Sequence, residues 1–81
     1  MQKTIHSRMG RLVHQKIVEI RKKAGYSQRQ LAKKLGREHS FVARIEQGER
    51  RVDLVEFYLV CKACEISSEK IILDLLRKFK H

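Results

Sequence analysis

Gly25-Tyr26-Ser27-Gln28-Arg29-Gln30-Leu31-Ala32-Lys33-Lys34-Leu35-Gly36-Arg37-Glu38-His39-Ser40-Phe41-Val42-Ala43-Arg44-Ile45-Glu46-Gln47-Gly48 is the stretch whose reading decides the fold. Two short amphipathic segments lie between three glycines. Ser27 and Gln30 have the spacing of a capping box, in which the serine hydroxyl accepts from the backbone N–H three residues on and the glutamine reaches back. Tyr26 and Leu31 occupy the hydrophobic-staple positions around that cap. A helix over about 28–35 follows, burying Leu31, Ala32 and Leu35. Gly36 can take the left-handed conformation that ends it. A second helix over about 38–47 turns Phe41, Val42 and Ile45 inward and stops at Gly48.

Two short helices joined by a glycine-containing turn form a helix-turn-helix unit over about 27–47. With Val42 and Ile45 inward, the second helix leaves His39, Ser40, Ala43, Arg44 and Gln47 facing out. None of these is a large apolar residue, and His39, Ser40 and Arg44 can all donate to base edges. That is the profile of a recognition helix in a DNA major groove. Arg44 is the best single reader, because one guanidinium bonds guanine O6 and N7 together and discriminates by roughly 1–3 kcal/mol. Gln28 opens the preceding helix, where a main-chain N–H and a side-chain amide can both donate to a phosphate.

The flanking sequence is helical as well. Ser7 can cap a helix over about 8–24, with Val13, Ile17, Ile20 and Ala24 at helical spacing and Arg11, Lys16, Arg21, Lys22 and Lys23 on its polar faces. Residues 1–6 read as a loose leader. Asp53 is placed to cap a helix over about 54–64, whose apolar set is Leu54, Phe57, Val60, Cys61 and Cys64. Ser67 or Ser68 opens a last helix over about 68–79, with Ile71, Ile72, Leu75, Leu76 and Phe79 on its buried side. The expected fold is all-α, a compact five-helix bundle in a single domain over 1–81, with C-terminal helices over 54–79.

Composition narrows the function. The chain has 81 residues with 19 Lys and Arg against 9 Asp and Glu, a net charge of +10. Such an imbalance in a small domain points to a polyanionic partner. No apolar run approaches the roughly 20 residues that span a bilayer, and the start shows no secretory pattern, so a cytoplasmic protein is expected. There is no glycine-rich phosphate loop, no nucleophile with a base partner and no carboxylate cluster, so no enzyme is expected. Cys61-Lys62-Ala63-Cys64 is a C-x-x-C, but a structural zinc needs two further ligands, and His6, His14, His39 and His81 show no paired spacing. No metal or cofactor is expected, and both cysteines fit an apolar stripe as small hydrophobes.

The run from Arg21 to Gly48 resembles the helix-turn-helix core of the phage Cro/repressor (XRE-type) family, the lambda-repressor-like fold. Arg21, Gly25, Ser27, Gln28, Leu31, Ala32, Leu35, Gly36, Val42, Ile45, Glu46 and Gly48 match its pattern, and the likeness extends over roughly 11–76. The departure is Arg37-Glu38, where the family usually has Ser or Thr. The resemblance implies a sequence-specific transcriptional regulator, a repressor that binds a palindromic operator in double-stranded DNA as a homodimer. It implies base contacts from His39, Ser40 and Arg44. It implies phosphate contacts from Gln28, Arg29, Arg37, Gln47, Arg50 and Arg51, and a structural ion pair between Arg21 and Glu46. Dimerisation through the C-terminal region would use Leu73, Leu76 and Phe79. The source would be bacterial or phage-encoded, with the protein at the nucleoid.

Two other readings use the same residues. One is a protein-interaction module, such as an antitoxin that binds a toxin through this scaffold. The other is a thiol- or metal-responsive switch built on Cys61 and Cys64.

Overall fold

The computed structural model describes residues 7–80, and every regular element among them is an α-helix. In chain order these are α1 (Arg8–Ala24), α2 (Gln28–Lys34), α3 (Phe41–Glu46), α4 (Leu54–Ala63) and α5 (Ser68–Phe79). The expected leader lies outside the described residues, as do His6 and His81. None of the helices is long and apolar enough to cross a membrane.

Side-chain caps open four of the five helices. Ser7 Oγ accepts from the Gly10 N–H at 3.0 Å, and Ser67 Oγ from the Lys70 N–H at 3.3 Å. Ser27 and Gln30 close both bonds of a capping box, at 3.1 and 2.8 Å. Asp53 and Glu56 close a second one, at 2.7 and 3.0 Å. Each satisfies a donor that the first helical turn leaves without an internal partner.

α1 to α4 also end alike. At the end of α2 the Gly36 N–H donates to the Lys33 carbonyl and the Arg37 N–H to the Ala32 carbonyl, both at 3.0 Å. This is the Schellman pattern, which needs a left-handed residue, and Gly36 supplies it at φ 71°. The same bond pair closes α1 around Gly25 and α3 around Gly48. α4 closes that way around Glu65, which takes φ 56° without being a glycine.

α3 is shorter than the sequence pattern suggests, and it begins three residues later. The Arg37 N–H is used to finish α2, and the Phe41 N–H bonds the Glu38 carbonyl across a tight turn. The first α-helical bond at this end is Arg44 N–H to Ser40 carbonyl, at 2.9 Å. His39 and Ser40 therefore sit in the turn that leads into α3, not within it.

α3 packs against α1 and α2, α2 touches α4, and α5 closes the bundle against α1 and α4. The core is Ile17 and Ile20 of α1, Leu31 and Ala32 of α2, Phe41, Val42 and Ile45 of α3, Phe57, Val60 and Cys61 of α4, and Leu75 of α5. The inward face of α1 differs from the expected stripe. Ala24 is exposed and His14 and Lys16 are buried; α5 covers the Lys16 side of the helix, and His14 lies beside Gly48 at the end of α3. Lys16 buries its methylene stem and bonds Asp74 of α5 at 2.9 Å and Glu19 at 3.1 Å, tying the first helix to the last. Leu54, expected in the core, is 73% exposed, and α5 fully buries only Leu75 of its apolar set. Among the described residues no further element covers the outer side of α4 and α5.

A left-handed Glu65 carries backbone strain that glycine does not. Glu65→Gly should therefore stabilise the domain by roughly 1 kcal/mol, read as a higher urea midpoint at unchanged m-value; an unchanged or lower midpoint would contradict this account.

Candidate nucleic-acid interface

A six-residue helix has little stability of its own, so α3 must be held from outside. Its C-terminal end is held by Glu46, whose side chain is 6% exposed. Arg21 of α1 donates to it through Nε, 2.7 Å to Oε2, and through Nη2, 3.1 Å to Oε1. The remaining guanidinium nitrogen of Arg21, Nη1, donates to the Tyr26 carbonyl at 2.8 Å. Gln28 Nε2 donates to Glu46 Oε1 at 2.8 Å. One carboxylate thus joins the end of α1, the start of α2 and the end of α3, and one arginine adds the loop between α1 and α2.

The N-terminal end of α3 is held by a second acid, which the sequence reading passed over. Glu56, in the first turn of α4, takes a bidentate pair from Arg50, Nη1 to Oε1 and Nη2 to Oε2, each at 2.9 Å. Arg37 Nη1 adds a third bond at 3.2 Å. Both guanidiniums lie over the ring of Phe41, with Cζ 4.1 Å (Arg37) and 4.8 Å (Arg50) from its centroid. The Arg50 guanidinium holds the Glu56 carboxyl down at about 2, against an ordinary 4.5, with help from the Asp53 N–H and Arg37. The visible signal was the D-x-x-E spacing of Asp53 and Glu56, which also marks a capping box.

Between these two anchors the outward residues are free of the core. His39, Ser40, Arg44 and Gln47 are exposed, and Ala43 is half-buried. The Ser40 hydroxyl makes no capping bond. A shallow depression of about 510 Å³ on one side is lined by Arg29, Gln30, Lys33, Arg37, Glu38 and His39. Another, of about 340 Å³, runs past the end of α3 between Arg11, Gln15 and Gln47. Arg29 and Arg51 are exposed. Arg37, Arg50 and Gln28 reach the same region but with side chains already bonded to Glu56 and Glu46. Arg11 and Lys33 flank the outward face and were not among the residues expected to contact DNA.

The other expected groups lie elsewhere. Leu73 and Leu76 are exposed and Phe79 is half-buried on α5, on the far end of the chain from the helix-turn-helix. Leu76 and Phe79 border an apolar groove of about 260 Å³ with Val13, Val52, Leu54 and Phe57. Cys61 is fully buried, and burial pushes its thiol up to about 11; burial raises the Cys64 thiol too. A thiolate, the reactive and metal-binding form, is disfavoured at both. No cluster of metal-ligating side chains occurs among the described residues.

The comparisons with known proteins agree with this fold. Residues 17–71 match the family model described as helix-turn-helix. A solved structure, an "XRE-family like protein" from Pseudomonas syringae pv. tomato str. DC3000, superposes with a TM-score of 0.82. It is 33% identical and aligns over 93% of this chain and 94% of its own. No curated protein sequence matches.

The two anchors generate separate expectations. Removing one partner of a buried pair leaves the other charged and unpaired, at a cost of about 3–5 kcal/mol. Glu46→Ala should lose that much in urea unfolding, and a loss under about 1 kcal/mol would show that the pair is not a buried anchor. For Glu56, a folded pKa below the unfolded value means stability that is present above pH 4.5 and lost as pH falls towards about 2. The stability difference between wild type and Glu56→Gln should therefore shrink across that window; a difference constant from pH 6 down to about 2 would contradict the shift.

Proposed function

The chain belongs to the XRE-type family of helix-turn-helix DNA-binding transcription regulators, and on that premise we propose that it is a repressor binding a palindromic operator as a homodimer. The observation that carries this reading is the doubly anchored α3, whose outward side chains are exposed on a chain of net charge +10. A rigid six-residue helix with free polar side chains suits the major groove, which admits a helix and offers each base pair's own donor and acceptor pattern.

In this reading Arg44 bonds a guanine edge, and His39 and Ser40 contact neighbouring bases from the turn that leads into α3. Arg29, Arg51 and Gln47 meet backbone phosphates on either side. Gln28 adds its second amide N–H, the first being held by Glu46. Arg37 and Arg50 lend their charge from the Glu56 cluster. Arg21 and Glu46 keep the reading helix in place without touching DNA. No enzymatic step is involved.

The dimer reading is supported by Leu54 and Leu76, which are 73% and 46% exposed at the α4–α5 groove, and by Leu73 of α5, which is 54% exposed. Apolar surface of this kind on a small domain suits a second copy. Two copies would set their recognition helices one DNA turn, about 34 Å, apart. The reading fits a bacterial or phage-encoded protein acting at the nucleoid.

Selection of bound duplexes from a random pool at about 150 mM salt, with wild type and Arg44→Ala in parallel, tests the proposal. A two-fold-symmetric site is expected, with one position in each half relaxed in the variant at a cost of about 1–3 kcal/mol. Wild-type affinity should fall about 10³- to 10⁵-fold between 50 and 200 mM salt. No enriched sequence, or equal weak binding by both proteins, would overturn it in favour of a protein partner.

A further inference from the structure

Glu56 is more than a helix cap. Its two oxygens accept from Arg50, Arg37 and the Asp53 N–H together, and its side chain is 12% exposed. The two arginines are bonded to one carboxylate and lie over one aromatic ring. Arg50 is also tethered by its own loop, Nη1 to the Arg51 carbonyl at 2.8 Å. A bidentate, stacked guanidinium has a fixed position, unlike the mobile ammonium of a surface lysine.

We propose that Glu56 is a specificity-determining residue, which withholds Arg37 and Arg50 from indiscriminate phosphate binding by locking them against Phe41. This rests on the DNA-binding reading above and adds to it. Nonspecific affinity grows with the number of phosphates a protein neutralises, and it carries no sequence information. A chain with 19 basic residues, these two included, gains little discrimination from leaving both mobile beside its reading helix. Two guanidiniums on one carboxylate present one net positive charge in place of two, at a fixed place. They can meet a phosphate only where a well-seated duplex brings one to them. The same contact keeps Phe41, and hence the His39–Ser40 turn, against α4, so positioning and charge restraint come from one residue.

The test is the salt dependence of the full chain binding a random-sequence duplex, followed by fluorescence anisotropy between about 50 and 200 mM salt. Glu56→Gln keeps an oxygen for the capping box but gives up the charge. The loss of affinity across that range should grow by about 3.5-fold if one arginine is released and about 12-fold if both are. Glu69→Gln, which removes the same charge from the first turn of α5, should leave the slope as it is. Adding Arg37→Gln and Arg50→Gln to Glu56→Gln should remove the gain. In a chain that keeps Glu56, Arg50→Gln should lower the slope less than Arg51→Gln does, a comparison that holds even if Glu56→Gln folds poorly. A wild-type slope in folded Glu56→Gln, a gain that Glu69→Gln reproduces, or an Arg50→Gln effect as large as that of Arg51→Gln would overturn the proposal alone. A wild type that binds no duplex at low salt would overturn the DNA-binding reading and this inference with it.

Discussion

The buried ion pair of Arg21 and Glu46 is the contact on which the rest of this domain depends. α3 is too short to persist alone, and its apolar side, Phe41, Val42 and Ile45, fixes which face is inward but leaves the helix ends to be held by other contacts. The pair supplies that restraint. Both groups are nearly out of water, at 11% and 6% side-chain exposure, and the desolvation of two charges is large unless their hydrogen-bonding capacity is filled. Here most of it is used: Glu46 receives three donations, and each of the three guanidinium nitrogens of Arg21 makes a bond. The geometry that makes the pair tolerable is also what makes it directional.

Glu56 repeats the arrangement at the other end of α3 with a different balance. The Glu46 pair lies deep and joins backbone segments. The Glu56 cluster lies nearer the surface and holds two arginines that are 38% and 27% exposed. The first sets where the end of α3 sits. The second sets where the Arg37 and Arg50 guanidiniums sit beside its start.

The far side of the bundle follows from its size. Five short helices surround one small core, and the last two have only one side to bury. α5 is joined to α1 by Lys16 and Asp74 and to the core by Leu75, while Leu73 and Leu76 remain outside. The surface left over is apolar, along a groove bordered by Val13, Val52, Leu54, Leu76 and Phe79.

Local sequence chemistry determined the helices. Capping at Ser7, Ser27, Asp53 and Ser67, glycine stops at Gly25, Gly36 and Gly48, and apolar spacing within each segment are short-range signals, and all five helices were legible from them. The family pattern from Arg21 to Gly48 was legible for the same reason, since it is written in contiguous residues. The start of α3 was not, because Arg37 gives its N–H back to α2, and a hydrogen bond already committed elsewhere leaves no mark on hydrophobic periodicity. Nor could spacing show that Glu65 would take a glycine's place, that α5 would bury Lys16, or that Gln28, Arg37 and Arg50 would each find a carboxylate. Apart from the local turn at Glu65, those are contacts between residues six to fifty-eight positions apart. Only the tertiary structure decided them, because charge pairing is set by which side chains the packed helices bring within about 3 Å, and sequence distance carries no information about that.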